Sequence, residues 1–351
     1  MNLRYIVPAL GLVALSATAS SAQEIAKGVF LNGWVDSIFS TTATKDAPTT
    51  NDFGTASDVK VGWNVNDRVS ANINMRSDYE FSAFVPAEVN ATVKATDQLS
   101  ISAGRSYGPI GYYAAEPTGL LTVNTALTTA LYSINPSGVW AVYTPTDKVT
   151  ITFEIADGFY NGDGASGKPL SVNGHTDPND VSYALDVVYN PTAEISLNLE
   201  GYIDPSAGGD DADGNPESVY QIGANAQYKN ADLTAGGEFI YQSVSNYNAP
   251  GEDSNNYAWA AFISHTLPVT AFPVAATLQV SQHVQDKSNA GAGVFAGTES
   301  KVQLDLLTNP LNSSQFGLNF ELFYDNQDPK ASGVDSIDSF GFALEGLFVI
   351  P

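Results

Sequence analysis

Three histidines, no cysteine and a scatter of carboxylates are what this chain offers to chemistry. A hydrolase needs a nucleophile within reach of an imidazole that a polar partner holds in place. His175 lies in a long polar stretch, His265 near a short turn on an apolar parity, and His283 near the far end of a strand-like run. None sits beside a nucleophile motif, and no G-x-S-x-G occurs. Three scattered imidazoles without thiolates make no metal set. Gly209-Asp210-Asp211-Ala212-Asp213-Gly214-Asn215 has the closely spaced oxygens that Ca²⁺ favours, with Asp211 and Asp213 as the ligands it would use. It lacks the distal bidentate Glu of a calcium loop and reads better as a solvated acidic loop. Neither catalysis nor a cofactor is expected.

What remains is a grouping of charges. Lys60, Arg76 and Lys94 fall on the polar parity of consecutive segments, with Arg105 at the start of the next long loop. Glu154, Asp186, Glu200, Glu238, Asp305, Glu321 and Glu345 share that parity across the rest of the chain, with Lys301 the main basic exception. Taken singly, each reads first as a solvated group. Set opposite one another across a narrow aqueous space, a basic stripe and an acidic wall create a transverse field that orients polar solutes and discriminates among ions.

The elements that would position these charges are strands. From Trp63 to Ile73 one face carries Trp63, Val65, Val69, Ala71 and Ile73, while Asn64, Ser70 and Asn72 point the other way. Similar alternation defines seven hairpins: Asp58 to Asn66 with Arg68 to Ser77, Val89 to Ala95 with Leu99 to Gly104, Gly138 to Thr144 with Lys148 to Ala156, and Val181 to Tyr189 with Glu194 to Ile203. Val219 to Tyr228 pairs with Asp232 to Ser243, Tyr257 to Leu267 with Val274 to Gln285, and Lys301 to Thr308 with Phe316 to Tyr324. A first strand from Val29 to Ser40 and a last from Phe340 to Ile350 bring the count to sixteen.

An even number of antiparallel strands closes without leaving an edge in lipid. Most of them approach the roughly 9–11 residues a tilted strand needs to cross the hydrocarbon. Short turns with Asn, Asp or Pro alternate with long polar connections, and tyrosines before three of the turns (Tyr143, Tyr189, Tyr228) would form one interfacial girdle. A soluble sandwich also alternates, but this many strands without a domain break is large for one. The predicted fold is all-β, a 16-stranded antiparallel transmembrane β-barrel with short periplasmic turns and long outer loops.

Residues 1–22 read as a secretory signal peptide: a basic start at Arg4, the apolar run Tyr5 to Leu15, and small residues leading to cleavage after Ala22. Residues 23–351 would then be the barrel. The whole chain's formal charge of −24 excludes nucleic acid as a partner, since neutralising phosphates requires Lys and Arg. It favours cations nearby. The connection 105–137 is poor in charge beyond Glu116 and rich in Gly, Ala, Leu and Thr, a composition suited to folding inward against the wall and narrowing the pore.

Gly104-Arg105-Ser106-Tyr107-Gly108-Pro109-Ile110-Gly111-Tyr112 and Asp157-Gly158-Phe159-Tyr160-Asn161-Gly162, together with the architecture, resemble the OmpL-like outer-membrane β-barrel porin family and, more loosely, the sixteen-stranded general porins. The resemblance implies an inward third loop with Glu116 facing Lys60, Arg76 and Lys94. The chain departs from it in having a single acid in that loop and in ending Phe348-Val349-Ile350-Pro351. The expected function is passive diffusion of small hydrophilic solutes and ions through a mildly cation-preferring channel in a Gram-negative outer membrane. Outer-membrane lipid and lipopolysaccharide are the expected partners, and the resemblance implies a homotrimer. The alternatives are a plugged structural or adhesive barrel whose outer loops bind a surface partner, and a secreted β-rich binding protein.

Overall fold

The computed structural model describes residues 22–77, 84–107, 111, 120–132, 136–157, 181–205, 218–245, 253–268, 271–286, 296–311, 315–330 and 335–350. The strands are β1 Gln23–Ala26, β2 Val29–Thr44, β3 Thr50–Asn66, β4 Val69–Ser77, β5 Phe84–Lys94 and β6 Leu99–Arg105. They continue as β7 Ser137–Thr146, β8 Val149–Ala156, β9 Ser182–Tyr189, β10 Ile195–Asp204, β11 Ser218–Lys229 and β12 Leu233–Ser245. The last are β13 Ser254–Leu267, β14 Val274–Gln285, β15 Gly297–Thr308, β16 Phe316–Pro329 and β17 Ile337–Ile350.

All belong to one 17-stranded sheet. From β2 onward each strand pairs antiparallel with the next, and β17 returns to β2 with Phe348 opposite Val35 and Leu344 opposite Phe39. The sixteen expected strands thus form a closed barrel with no open edge. The four-residue β1 is an addition. It sets Gln23 opposite Leu31, where Ile350 stands opposite Gly33, so it continues the lane of β17.

The barrel is inside out relative to a soluble protein. On β10 Leu199 is 55% exposed while its neighbour Glu200 is 2% exposed. The same contrast recurs on the other strands, with Phe153, Leu185, Ile222 and Leu304 exposed and Glu154, Asp186, Gln221 and Asp305 buried. Apolar side chains facing outward and polar ones inward are what a lipid-embedded barrel requires. Trp63, Tyr143, Tyr189 and Tyr228 lie exposed near the short-turn end, and Tyr183, Tyr220, Tyr257 and Tyr324 lie toward the other. These are the places where amphipathic rings anchor at an interface.

Side-chain oxygens build the short turns. Asn66 Oδ1 accepts the N–H groups of Arg68 and Val69 at 2.9 and 3.0 Å, and Asn230 Oδ1 accepts those of Asp232 and Leu233 at 3.0 and 2.8 Å. Such Asx turns reverse the chain without unmet backbone donors. One connection differs from expectation. β2 and β3 run past the alternating region to Thr44 and from Thr50, leaving only residues 45–49 between them, with Asp46 at φ 59°. Asp52, which lies between the predicted strands Val29 to Ser40 and Asp58 to Asn66, therefore belongs to β3. Ser and Thr pairs sustain the ladder there, Ser37 Oγ lying 3.0 Å from Thr55 Oγ1 and Thr41 donating to Asn51.

Candidate functional site

Residues 120–132, between β6 and β7, lie against the inner wall, and their alternation of apolar side chains with backbone donors explains why. Leu121 and Ala126 pack with Ala260 and Phe262, and Leu131 packs with Tyr202, Val219, Ile240 and Val244. A short 3-10 helix, Leu127–Leu131, rests on β12, β13, β14 and β15. The Leu127 N–H donates to Ser281 Oγ at 3.2 Å, and Lys301 Nζ donates to the Thr125 carbonyl at 3.4 Å.

The inward carboxylates hold this segment. Asp305 and Glu321 are opposite one another on β15 and β16, where two like charges would repel. Asp305 Oδ1 accepts the Val123 N–H at 2.9 Å, and Glu321 Oε2 accepts the Asn124 N–H and Gln303 Nε2, each at 2.9 Å. The Asn124 side-chain amide also donates to Glu321 Oε1. Tyr132 Oη donates to Glu238 Oε2 at 2.8 Å, and Gly111 N–H to Glu200 Oε1 at 2.9 Å. Each hydrogen bond of this kind contributes about 0.5–1.5 kcal/mol, and more where the acceptor is ionised. Gly111 has φ +119°, and a Cβ there would come within 2.4 Å of the Tyr132 ring, so only glycine reaches Glu200 past that ring.

The opposite wall carries the basic residues in closer company with acids than expected. Lys60 Nζ lies 3.1 Å from Glu88, with Asn74 between them in the register of β3, β4 and β5. Arg76 stacks over the Trp34 ring at 5.2 Å, and Trp34, Asp58 and Arg76 form one row across β2, β3 and β4. Lys94 stands apart, 3.3 Å from Asp97 in the turn after β5. Arg105 ends β6 on the parity of outward-facing Ile101, with its Nε buried and unpartnered. Lys60 and Arg76 are therefore neighbours, whereas Lys94 is six residues along β5 from Glu88 and joins no common stripe with them.

Glu116, Asp211, Asp213 and His175 lie outside the described residues. His265 Nδ1 is 3.0 Å from the Asp232 carbonyl, and His283 stands opposite Glu299 on β14 and β15. Among the described residues no three of His, Asp and Glu converge on a compact metal site. Sequence reasoning missed Glu88, the partner of Lys60. It lies one residue before the predicted start of that strand, and extending the alternation back from Val89 would have found it.

Residues 37–340 match the family model described as "Putative beta-barrel porin-2, OmpL-like". No curated protein sequence matches. Among solved structures, an anion-selective porin from Comamonas acidovorans superposes with a TM-score of 0.65 at 13% identity, covering 92% of this chain and 99% of that one. DcaP, an outer membrane channel of Acinetobacter baumannii, gives 0.65 at 10% identity over 92% and 97%. A trimer form of OmpT, an outer membrane protein of Vibrio cholerae, gives 0.57 at 13% identity over 92% and 100%.

Proposed function

Because the chain belongs to the OmpL-like β-barrel porins, we propose that it is an outer-membrane channel through which small hydrophilic solutes and ions diffuse, narrowed by the segment 105–137. The observation that carries this reading is the row of inner-wall carboxylates gripping the segment's backbone at Val123, Asn124 and Gly111. A segment so anchored takes up lumen on the β10 to β16 side and leaves the wall bearing Lys60, Arg76 and Glu88 to border the passage.

The preference for cations is mild in this reading. The net charge of −24 enriches cations around the chain, but the wall acids that would reinforce it are occupied by the segment. Export through a signal peptide cleaved after Ala22, residence among the lipid and lipopolysaccharide of a Gram-negative outer membrane, and assembly as a homotrimer complete the proposal. The trimer rests on analogy with the trimer form of the Vibrio cholerae protein.

Single-channel recording of the refolded protein in a planar bilayer, with the reversal potential taken across a KCl gradient, tests it. Discrete steps with a small potential favouring K⁺ are expected. Inserted but silent protein would overturn the channel and favour the plugged, adhesive barrel.

A further inference from the structure

The inward-facing asparagines divide into two groups. On β10, β13 and β16, Asn198, Asn256 and Asn319 are buried, and their side-chain amides donate to Glu200, Gln242 and Glu345. On β3, β4 and β5, toward the short-turn end, Asn72 and Asn90 are half-buried and Asn64 is exposed. Gly62, Asn72 and Asn90 form one register row across these three strands. Lys60 and Glu88 lie in the row toward the outer mouth, and Asn64, Ser70 and Thr92 in the row on the other side.

Gly62 is the unexpected member. A Cβ there would meet no atom within 4 Å, and its φ lies outside the left-handed region, so neither packing nor the backbone asks for glycine. Glycine in a strand interior gives up side-chain contacts, and one use of the room it leaves is the close approach of a ligand. On β2, Phe30 stands opposite Gly62 and is half-buried.

We propose that this row is a binding subsite for a neutral polyhydroxylated solute, a mono- or disaccharide. Its charge is balanced, because Lys60 and Glu88 pair at 3.1 Å, and a charged ligand would find no surplus opposite charge there. Around that pair stand amides and hydroxyls. Each asparagine side chain presents donors beside an acceptor, and a vicinal diol offers the complementary functions side by side. Adjacent strands lie about 4.8 Å apart, and alternate residues along a strand about 6.8 Å. Three strands and three rows therefore bound a patch of about 10 by 14 Å, the size of one to two sugar rings. Gly62 leaves depth for a ring, and Phe30 beside it offers an apolar face to ring C–H groups. The subsite rests on the channel reading, in which this side of the lumen is open to solute, and it names the class of solute that lingers there.

Saturation-transfer NMR of sucrose with the protein in lauryl dimethylamine oxide, a detergent without sugar, tests it. A signal that saturates with sucrose concentration is expected, and a polyethylene glycol of similar mass should give no saturable signal. The Asn72→Ala, Asn90→Ala double variant removes two amides and should weaken binding about tenfold. Gly62→Val fills the row without striking the wall and should abolish the signal. Both variants should keep the wild-type heat shift on gels. Wild-type protein without a saturable signal overturns the proposal, as do variants that bind sucrose as the wild type does. The measurement needs no conduction, so protein that binds sucrose but is silent in bilayers keeps the subsite and loses the channel.

Discussion

The Val123 N–H donates to Asp305 Oδ1 at 2.9 Å, joining residues 182 positions apart across the interior of the barrel. The next residue, Asn124, does the same to Glu321 on the neighbouring strand. Two facing carboxylates are thus converted from a repulsive pair into a clasp for the inward segment.

Asp305→Asn with Glu321→Gln keeps the shapes and removes the charge of the clasp. Each clasp bond weakened in this way costs about 1 kcal/mol. Larger and noisier single-channel steps than wild type are expected. Identical steps would mean that the apolar contacts alone hold the segment.

Leu131 packs among Tyr202, Val219, Ile240 and Val244. Leu131→Asp places a carboxylate in that cluster, a penalty of roughly 3 kcal/mol or more. The segment should detach and become open to protease while the barrel's heat shift on gels stays as it was. Loss of the heat shift would show that the segment supports the barrel itself.

Gly111→Ala drives a methyl into the Tyr132 ring. Loss of the Glu200 contact and weakening of the Tyr132 hydrogen bond to Glu238 are expected, read as protease cleavage of the segment faster than in wild type. Unchanged cleavage would mean that these two contacts are dispensable.

Glu88→Gln removes a negative charge beside Lys60 and should move the reversal potential toward anions, whereas Lys60→Glu should move it toward cations. The test is the KCl-gradient potential of each variant. Two unshifted potentials would place this pair off the permeation path.

Leu199 faces outward on β10 and Ser196 has the opposite parity. Leu199→Arg should destabilise the inserted barrel by about 2–4 kcal/mol if the residue meets lipid near mid-depth. Ser196→Arg should be tolerated. Urea unfolding of both from vesicles gives the comparison, and equal stabilities would contradict a lipid-facing Leu199.

The barrel was legible because its two faces meet different solvents, so alternation near Phe153 and Glu154 or Leu199 and Glu200 is written into adjacent residues. Where both faces are mostly polar, as from Thr50 to Ser57 with only Phe53 and Ala56 apolar, that signal fades, and the extension of β3 fell outside the predicted strands. Parity placed Asp305 and Glu321 on the polar face but could not say what they bind. Their partners are mainly backbone N–H groups of Val123 and Asn124, which every residue type but proline carries and which leave no trace in composition. The pairing of Lys60 with Glu88 was hidden for a smaller reason, the strand boundary drawn one residue short.

Closure through β2 and β17 has a kinetic consequence. Val35 and Phe348 lie on the first and last strands of the closed ring, so they pair only after every strand between them has been made. Every intermediate short of that contact carries two unpaired strand edges, a form that hydrocarbon does not tolerate and that invites pairing with other chains. Contacts this distant in sequence are slow to form. Assembly is therefore committed by its last hairpin, and substitutions along the β2–β17 seam should slow insertion well before they lower the stability of the finished barrel.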